Sequence, residues 1–233
     1  MPSLKETIKS ILQIETYRDR KFYGQLVKKG DLCFDIGANL GKKSKLFLSL
    51  GDKVIAFEPQ SNCHLALQKI KHPNFSYFPY AVGAKDEEKE LQLANHVEVA
   101  TFSESFIDYF KNDELQWNAS EKVTVKKLDT LIKTYGLPGF CKIDVEGYEF
   151  EILSHLTYEI PCIEFEFTGG FIPETIKSIN LLDKGHTLYN YMLNEHPYFE
   201  LKKWVSAGKM VNILKNMPVE RLHGNIFVKN STH

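Results

Sequence analysis

Carboxylates recur in this 233-residue sequence at the places where an α/β protein would hold a ligand. The first is Asp35, in Asp35-Ile36-Gly37-Ala38-Asn39-Leu40-Gly41, directly after an apolar run and before a helical pattern. Gly37 and Gly41 let the backbone turn tightly and approach a ligand, and the helix that follows offers N–H groups. The second is Glu58, which ends the next apolar run 21 residues after Gly37 and precedes Pro59. In doubly wound folds an acid there accepts hydrogen bonds from ribose hydroxyls; a solvated strand-end carboxylate is the plainer alternative. The third is Lys142-Ile143-Asp144-Val145-Glu146-Gly147-Tyr148-Glu149, again at the end of an apolar run. Asp144 and Glu146 either meet a ligand in the crevice where strand order reverses or cap the helix behind them. Two acids and a glycine at that point favour the site. Glu164 and Glu166 alternate with Ile163, Phe165 and Phe167. Acids in a buried strand are uncommon unless paired or functional, which makes Glu166 a secondary candidate.

These residue types select among nucleoside ligands. A dinucleotide-binding turn reads G-x-G-x-x-G and leaves room for a pyrophosphate; this turn reads D-x-G-x-x-x-G. A carboxylate at its head suits an ammonium group better than a phosphate. S-adenosylmethionine carries an amino group, a sulfonium and two ribose hydroxyls, without a phosphate, and fits these residues better than NAD does. No G-K-[ST] follows the turn, which excludes a P-loop. No metal is required by the motifs: H-E-x-x-H is absent, and of eight histidines only His96 and His196 fall where a site role is worth testing.

The elements that must position these groups are legible from the patterning. Apolar runs at Asp31–Ile36, Lys53–Phe57, Phe75–Val82, Phe140–Val145 and Cys162–Phe167 read as strands. Helical patterns at Lys42–Leu50, through Leu65 and Leu67, and at Tyr148–Leu156 lie between them. Near-continuous apolar strands alternating with helices predict a parallel sheet covered on both faces. Residues 3–29 read as a helix that starts near Pro2 and Ser3, with Leu4, Ile8, Ile11 and Leu12 on one face. Residues 84–136 interrupt the alternation with two strands, near 89–94 and 121–127, around the aromatics Phe102, Phe106, Tyr109, Phe110 and Trp117. Such an excursion is a lid or a packing element. Residues 186–229 read as strand, turn, strand, helix, strand. One domain accommodates all of this: a helical cover at 1–30, a cofactor-binding core at 31–167 with a lid insertion at 84–136, and acceptor-side elements and further sheet at 168–233.

Composition excludes other classes. Twenty-nine Lys and Arg against thirty Asp and Glu give a net charge of −1, which argues against a nucleic-acid partner. No apolar run reaches 18 residues, so no membrane span is expected, and charges at Lys5, Glu6 and Lys9 argue against a secretory signal. Cys33, Cys63, Cys141 and Cys162 lack metal or redox spacing and read as small buried residues in a reducing cytoplasm. Trp117 and Trp204 suit a core or an interface, so the oligomeric state stays open.

Four segments together resemble the FkbM-type methyltransferases, a group within the class I S-adenosylmethionine-dependent fold: F-D-I-G-A-N-L-G (34–41), A-F-E-P-Q-S-N (56–62), V-T-V-K-K-L-D-T-L (123–131) and K-I-D-V-E-G-Y-E-F-E-I-L (142–153). The resemblance spans about residues 31–167. It implies a Rossmann-like, doubly wound α/β fold with a seven-stranded, mostly parallel sheet whose last strand is antiparallel. It implies that Asp35, Gly37, Asn39 and Gly41 wall the methionine part of the cofactor, that Glu58 with Pro59 holds the ribose, and that Ala81 and Val82 lie beside the adenine. Asp144 and Glu146 would face the methyl group, and Ser103 would lie near the cofactor. Tyr148, Ser154, Lys42 and Lys43 depart from the family's usual residues and bear on the acceptor. The expected reaction is in-line methyl transfer to a hydroxyl of a sugar, glycan or small natural product, with Asp144 or Glu146 as general base. A nicotinamide-dependent oxidoreductase and a non-catalytic cofactor-binding module are the alternatives.

Overall fold

The computed structural model describes residues 16–97, 99–218 and 222–230. Among the described residues ten strands form two sheets. Seven of them, β1 (Leu32–Ile36), β2 (Lys53–Phe57), β3 (Phe75–Phe78), β7 (Phe140–Ile143), β8 (Cys162–Thr168), β9 (Leu188–Leu193) and β10 (His223–Lys229), lie in the order β3-β2-β1-β7-β8-β10-β9. The first five run parallel, and β10 inserts antiparallel between β8 and β9. The expected seven-stranded sheet with its last strand antiparallel is thus present. The switch in strand order falls between β1 and β7, which opens a crevice at their carboxyl ends.

Helices cover both faces, because strand side chains alternate. Phe34, Ile36, Cys141, Ile143, Ile163, Phe165, Ile226 and Val228 pack with α5 (Leu128–Tyr135), α6 (Glu149–Ser154), α7 (Ile172–Leu182) and α8 (Ala207–Lys215). Cys33, Val54, Phe140, Cys162 and Phe227 face the other way, onto α1 (16–23) and α2 (Lys42–Leu50). Of the helix expected at 3–29, residues 1–15, with Pro2, Ser3, Leu4, Ile8, Ile11 and Leu12, lie outside the described residues. The chain leaves the helix at Gly24, where a turn replaces the last predicted turns.

The α1/α2 face carries an unusual row. Register places Asp35 beside Lys142 and Lys142 beside Glu164, so three charges cross adjacent strands at the centre of the sheet. All three are buried. Helix side chains complete the row: Ser44 donates Oγ to Asp35 Oδ2 at 2.6 Å, and Tyr23 donates its hydroxyl to Glu164 Oε1 at 2.9 Å. Burial of charge is tolerable only with such partners.

Two expectations are corrected. The strand read over Phe75–Val82 is two strands, β3 and β4 (Tyr80–Gly83), in different sheets. They part at Pro79, which has no N–H for a central ladder. β4 pairs with β6 (Trp117–Lys127), and β6 pairs with β5 (Glu87–Ala94), so the excursion is a three-stranded sheet with its own core of Ala81, Leu91, Val123 and Val125. The second strand expected after β9 is only a single bridge, Tyr189 to Val205. The aromatic helical spacing is realised as α4 (Glu104–Phe110).

Candidate active site

A cavity of about 420 Å³ opens at the carboxyl ends of β1, β2 and β7. The turn after β1 forms its floor. Gly37 has φ +75°, and a Cβ there would land on the Asp144 carbonyl oxygen, so only glycine lets the β1 and β7 loops meet. Gly37 and Ala38 both donate their N–H to the Phe57 carbonyl, which ties the same turn to β2. Gly41 stands at the N-terminus of α2 outside the lining; a Cβ there would press on Ile70 and Leu67.

Glu58 braces the floor. Its Oε2 accepts the Asn39 N–H at 2.7 Å and its Oε1 accepts the Gln60 N–H at 2.8 Å. Burial pushes its carboxyl up to about 7, and these two backbone donors oppose the rise. A carboxylate has lone pairs left for two further donors. Asp35 is also fully buried; burial raises its pKa, and Lys142 and Ser44 pull it down. Its Oδ1 has no hydrogen-bond partner. Pro59, Ala81 and Val82 line the cavity between Glu58 and the small sheet.

The wall beneath β7 and β8 is acidic. Asp144 is bound by Lys142 Nζ at 2.6 Å. Glu146 and Gly147 both take positive φ, 56° and 85°, so Glu146 is presented on a strained turn. Thr101 holds that turn by donating Oγ1 to the Glu146 carbonyl at 2.7 Å, and Glu149 holds it by accepting the Val145 N–H at 3.0 Å. Asp144, Glu146 and Glu166 each bring a carboxylate oxygen within 4.8 Å of the others. Burial, then Glu146 and Asp144, push the Glu166 carboxyl well above its ordinary value. The same three oxygens are, among the described residues, the set with the spacing to hold a cation.

The roof comes from the small sheet and the loop after β9. Leu91, Ala100, Thr101 and Phe102 close one side, and Glu195 closes the other. Val97 hooks the roof to the floor by accepting from Asn39 Nδ2 at 3.3 Å and Gln60 Nε2 at 3.0 Å.

The cavity therefore gathers Asp35, Gly37, Asn39, Glu58, Pro59, Ala81, Val82, Asp144, Glu146 and Glu166. Ser103 lies outside its lining and caps α4 instead, accepting the Phe106 N–H at 3.1 Å. His96 and His196 are exposed and also lie outside it. Sequence reasoning did not anticipate Lys142, Thr101 or Glu195 as site residues, and it tied Lys43 to the acceptor alone. Lys142 had a signal: it lies two residues before Asp144 in an apolar strand, hence on the same face. Glu195 had none.

The family model described as "Methyltransferase FkbM domain" matches residues 35–198, well over half of the chain. The chain belongs to the FkbM methyltransferase family. The match extends past residue 167 to 198, beyond the span of the four motifs. No curated protein matches the FkbM chain. Its fold is similar to precorrin-6y C5,15-methyltransferase from Geobacter metallireducens (12% identity, 92% of this chain and 87% of that one, TM-score 0.46). It is also similar to the plantazolicin methyltransferase BpumL (10%, 95% and 84%, 0.48) and to an rRNA methylase from Streptococcus thermophilus (9%, 94% and 97%, 0.44). S-adenosylmethionine is the methyl donor that the resemblance to this family implies. The residues present fit that cofactor: a buried, orphaned Asp35 oxygen suits an ammonium, and Glu58 has lone pairs for a diol. Among the described residues no helix is long and apolar enough to cross a membrane.

Proposed function

We propose that this methyltransferase methylates a hydroxyl of a sugar, glycan or small natural product, with Glu146 as general base. The observation that carries the reading is the meeting of Asp144, Glu146 and Glu166 within 4.8 Å on one wall of the cavity. When bound, S-adenosylmethionine supplies an electrophilic methyl group on a sulfonium leaving group.

The rest of the work falls to the chain. Asp35 Oδ1 takes the ammonium of the methionine part, with Gly37 and Asn39 as the wall beside it and Gly41 setting the start of α2. Glu58, with Pro59 behind it, accepts the ribose hydroxyls, and Ala81 and Val82 flank the adenine. Ser103 acts at one remove, by capping the helix next to Thr101, whose hydroxyl fixes the Glu146 turn. A hydroxyl is a poor nucleophile until it loses its proton. Asp144 already accepts a charge-assisted hydrogen bond from Lys142. Its role is to hold the acceptor hydroxyl and keep the wall negative. Glu146 receives the hydroxyl proton on a carboxylate oxygen and becomes neutral, which lowers the crowding of negative charge it shares with Asp144 and Glu166. The roof, residues 84–136, shuts water out, and the buried, unpaired cysteines suit a cytoplasmic setting.

The test is a methyl-transfer screen over sugar nucleotides, glycans and small hydroxylated metabolites, read by mass, followed by variants on the acceptor found. Glu146→Gln is expected to lower turnover by roughly 10²–10⁴-fold while still binding the cofactor. Asp144→Asn should cost less in turnover and more in acceptor KM. Full turnover in both variants, or a product methylated on nitrogen or carbon, would overturn the reading.

A further inference from the structure

Among the described residues three cations line the cavity: Lys42, Lys43 and Lys142. Lys142 is spent on Asp144 at 2.6 Å. Lys42 and Lys43 follow the glycine turn directly and stand on the first turn of α2, which has no side-chain cap and no acid of its own. Lys43 is held in place from behind. Its Nζ donates to the Tyr23 hydroxyl at 3.1 Å and lies 4.9 Å from the centre of that ring. Tyr23 is fully buried and in turn bound to buried Glu164. An ammonium has three donors, so this anchoring leaves Lys43 able to serve a ligand.

The position of Lys43 relative to Asp35 is also set. Ser44, its neighbour in the chain, donates Oγ to Asp35 Oδ2 at 2.6 Å. Asp35 keeps its other oxygen unpartnered and buried at the cavity wall. A cation and a carboxylate with an open acceptor therefore line the same cavity. The complement of that pair is an α-amino acid, whose carboxylate and ammonium are carried on one carbon. A carboxylate already marks the cationic position: Glu195, from the loop after β9, reaches to 3.8 Å from Lys42 Nζ and 3.9 Å from Lys43 Nζ. It is more than half exposed and sits on two successive residues with positive φ, Asn194 and Glu195, so it can yield to a ligand.

We propose that Lys43, assisted by Lys42, binds the carboxylate of the methionine part of S-adenosylmethionine, opposite the ammonium site at Asp35. This rests on the S-adenosylmethionine site described above. It gives the two lysines that depart from the family's usual residues a specific task, and it makes Tyr23 and Glu164 positioning residues for Lys43.

The experiment is titration calorimetry, without acceptor, of S-adenosylmethionine and of its decarboxylated analogue, two ligands that differ only in the carboxylate. The wild-type chain should bind S-adenosylmethionine about tenfold more tightly than the analogue, the size of one charge-assisted contact at a partly wet site. Lys43→Gln should erase that preference by weakening S-adenosylmethionine alone. Lys43→Arg should restore most of it, and exposed Lys42→Gln should reduce it by a few fold. Equal weakening of both ligands by Lys43→Gln would mean that Lys43 only packs against Tyr23, and would overturn the proposal. So would a wild type that binds both ligands alike, which would leave the cofactor site itself intact. A wild type that binds neither would overturn the cofactor site and the proposal together.

Discussion

The floor of the cavity, at Asp35, Gly37 and Glu58, is made of strand ends tied by main-chain hydrogen bonds. The roof, from Leu91 to Phe102 and at Glu195, is made of side chains that reach in from a small sheet and a loop. The floor depends on the register of β1, β2 and β7 and on the Glu58 carboxylate that braces their ends. The roof depends on individual contacts between distant segments, such as Thr101 with Glu146 and Lys89 with Tyr148. A methyltransferase whose cofactor is constant and whose acceptor differs needs this division. Substitutions in the floor should destroy binding of the cofactor, and substitutions in the roof should shift the acceptor.

The sharpest way to break that comparison is Gly37→Ala. The added methyl would meet the Asp144 carbonyl oxygen, and the backbone there has φ +75°. Neither the strand pairing of β1 with β7 nor the turn can relax without moving the site. The variant is expected to lose about 3 kcal/mol or more of stability, which in a chain of this size lowers Tm by roughly 6–12 °C. Cofactor binding should vanish in calorimetry. A variant that binds normally would show that the floor is more pliable than its hydrogen bonds imply.

Glu58 tests the floor by pH. Its carboxyl is pushed up to about 7, and those of Glu149 and Glu164 rise to about 7 as well, each chiefly by burial. An unfolded Glu titrates near 4.3. The folded, cofactor-free chain therefore keeps protons that the unfolded chain has released. The stabilisation is fully present below the unfolded value and is lost as pH rises through about 7. Thermal denaturation without cofactor should show Tm falling between pH 5 and pH 8. Ribose hydroxyls donate to the ionised form, so cofactor binding should release a proton and tighten as pH rises through 7. Calorimetry in two buffers of different ionisation enthalpy measures that proton. Glu58→Gln should weaken binding by roughly ten- to a hundredfold and remove the pH dependence, because its amide group would face a backbone N–H. Unchanged affinity in this variant would remove Glu58 from the ribose site.

The difference between floor and roof also explains what could be read from the sequence. Strands such as Lys53–Phe57 are visible because a buried parallel strand must be apolar on both faces. Asp35, Glu58, Asp144 and Glu146 are visible because a charge at the end of such a strand has little structural reason to be there. The break at Pro79 was legible in principle, since proline is incompatible with a central strand, yet the apolar run on either side conceals it. Lys43 and Tyr23 lie 20 residues apart and meet only because α1 and α2 share one face of the sheet. Glu195 reaches the cavity from the far edge strand, through a loop whose sequence carries no periodicity. Side chains that act through tertiary folding leave no local trace.

The smallest expected effect belongs to the roof. Lys89 of β5 lies between two rings, 4.7 Å from the centre of Phe102 and 4.5 Å from that of Tyr148, and donates to the Tyr148 hydroxyl at 3.0 Å. Phe102 lines the cavity, and Tyr148 directly follows the Glu146–Gly147 turn. This clamp thus joins the roof to the proposed base without touching the floor. Tyr148→Phe keeps the ring and loses only the hydrogen bond, a cost of about 1 kcal/mol or less. Tyr148→Ala loses the cation–π contact as well, for about 1–2 kcal/mol in all. Both variants should leave the affinity for S-adenosylmethionine within about twofold of wild type, since 1 kcal/mol of roof stability is not transmitted to main-chain contacts made by Glu58. Tyr148→Ala should instead raise acceptor KM several-fold, with Tyr148→Phe intermediate. If Tyr148→Ala weakened the cofactor as severely as Glu58→Gln, floor and roof would be one cooperative unit, and acceptor choice could not change independently of cofactor binding.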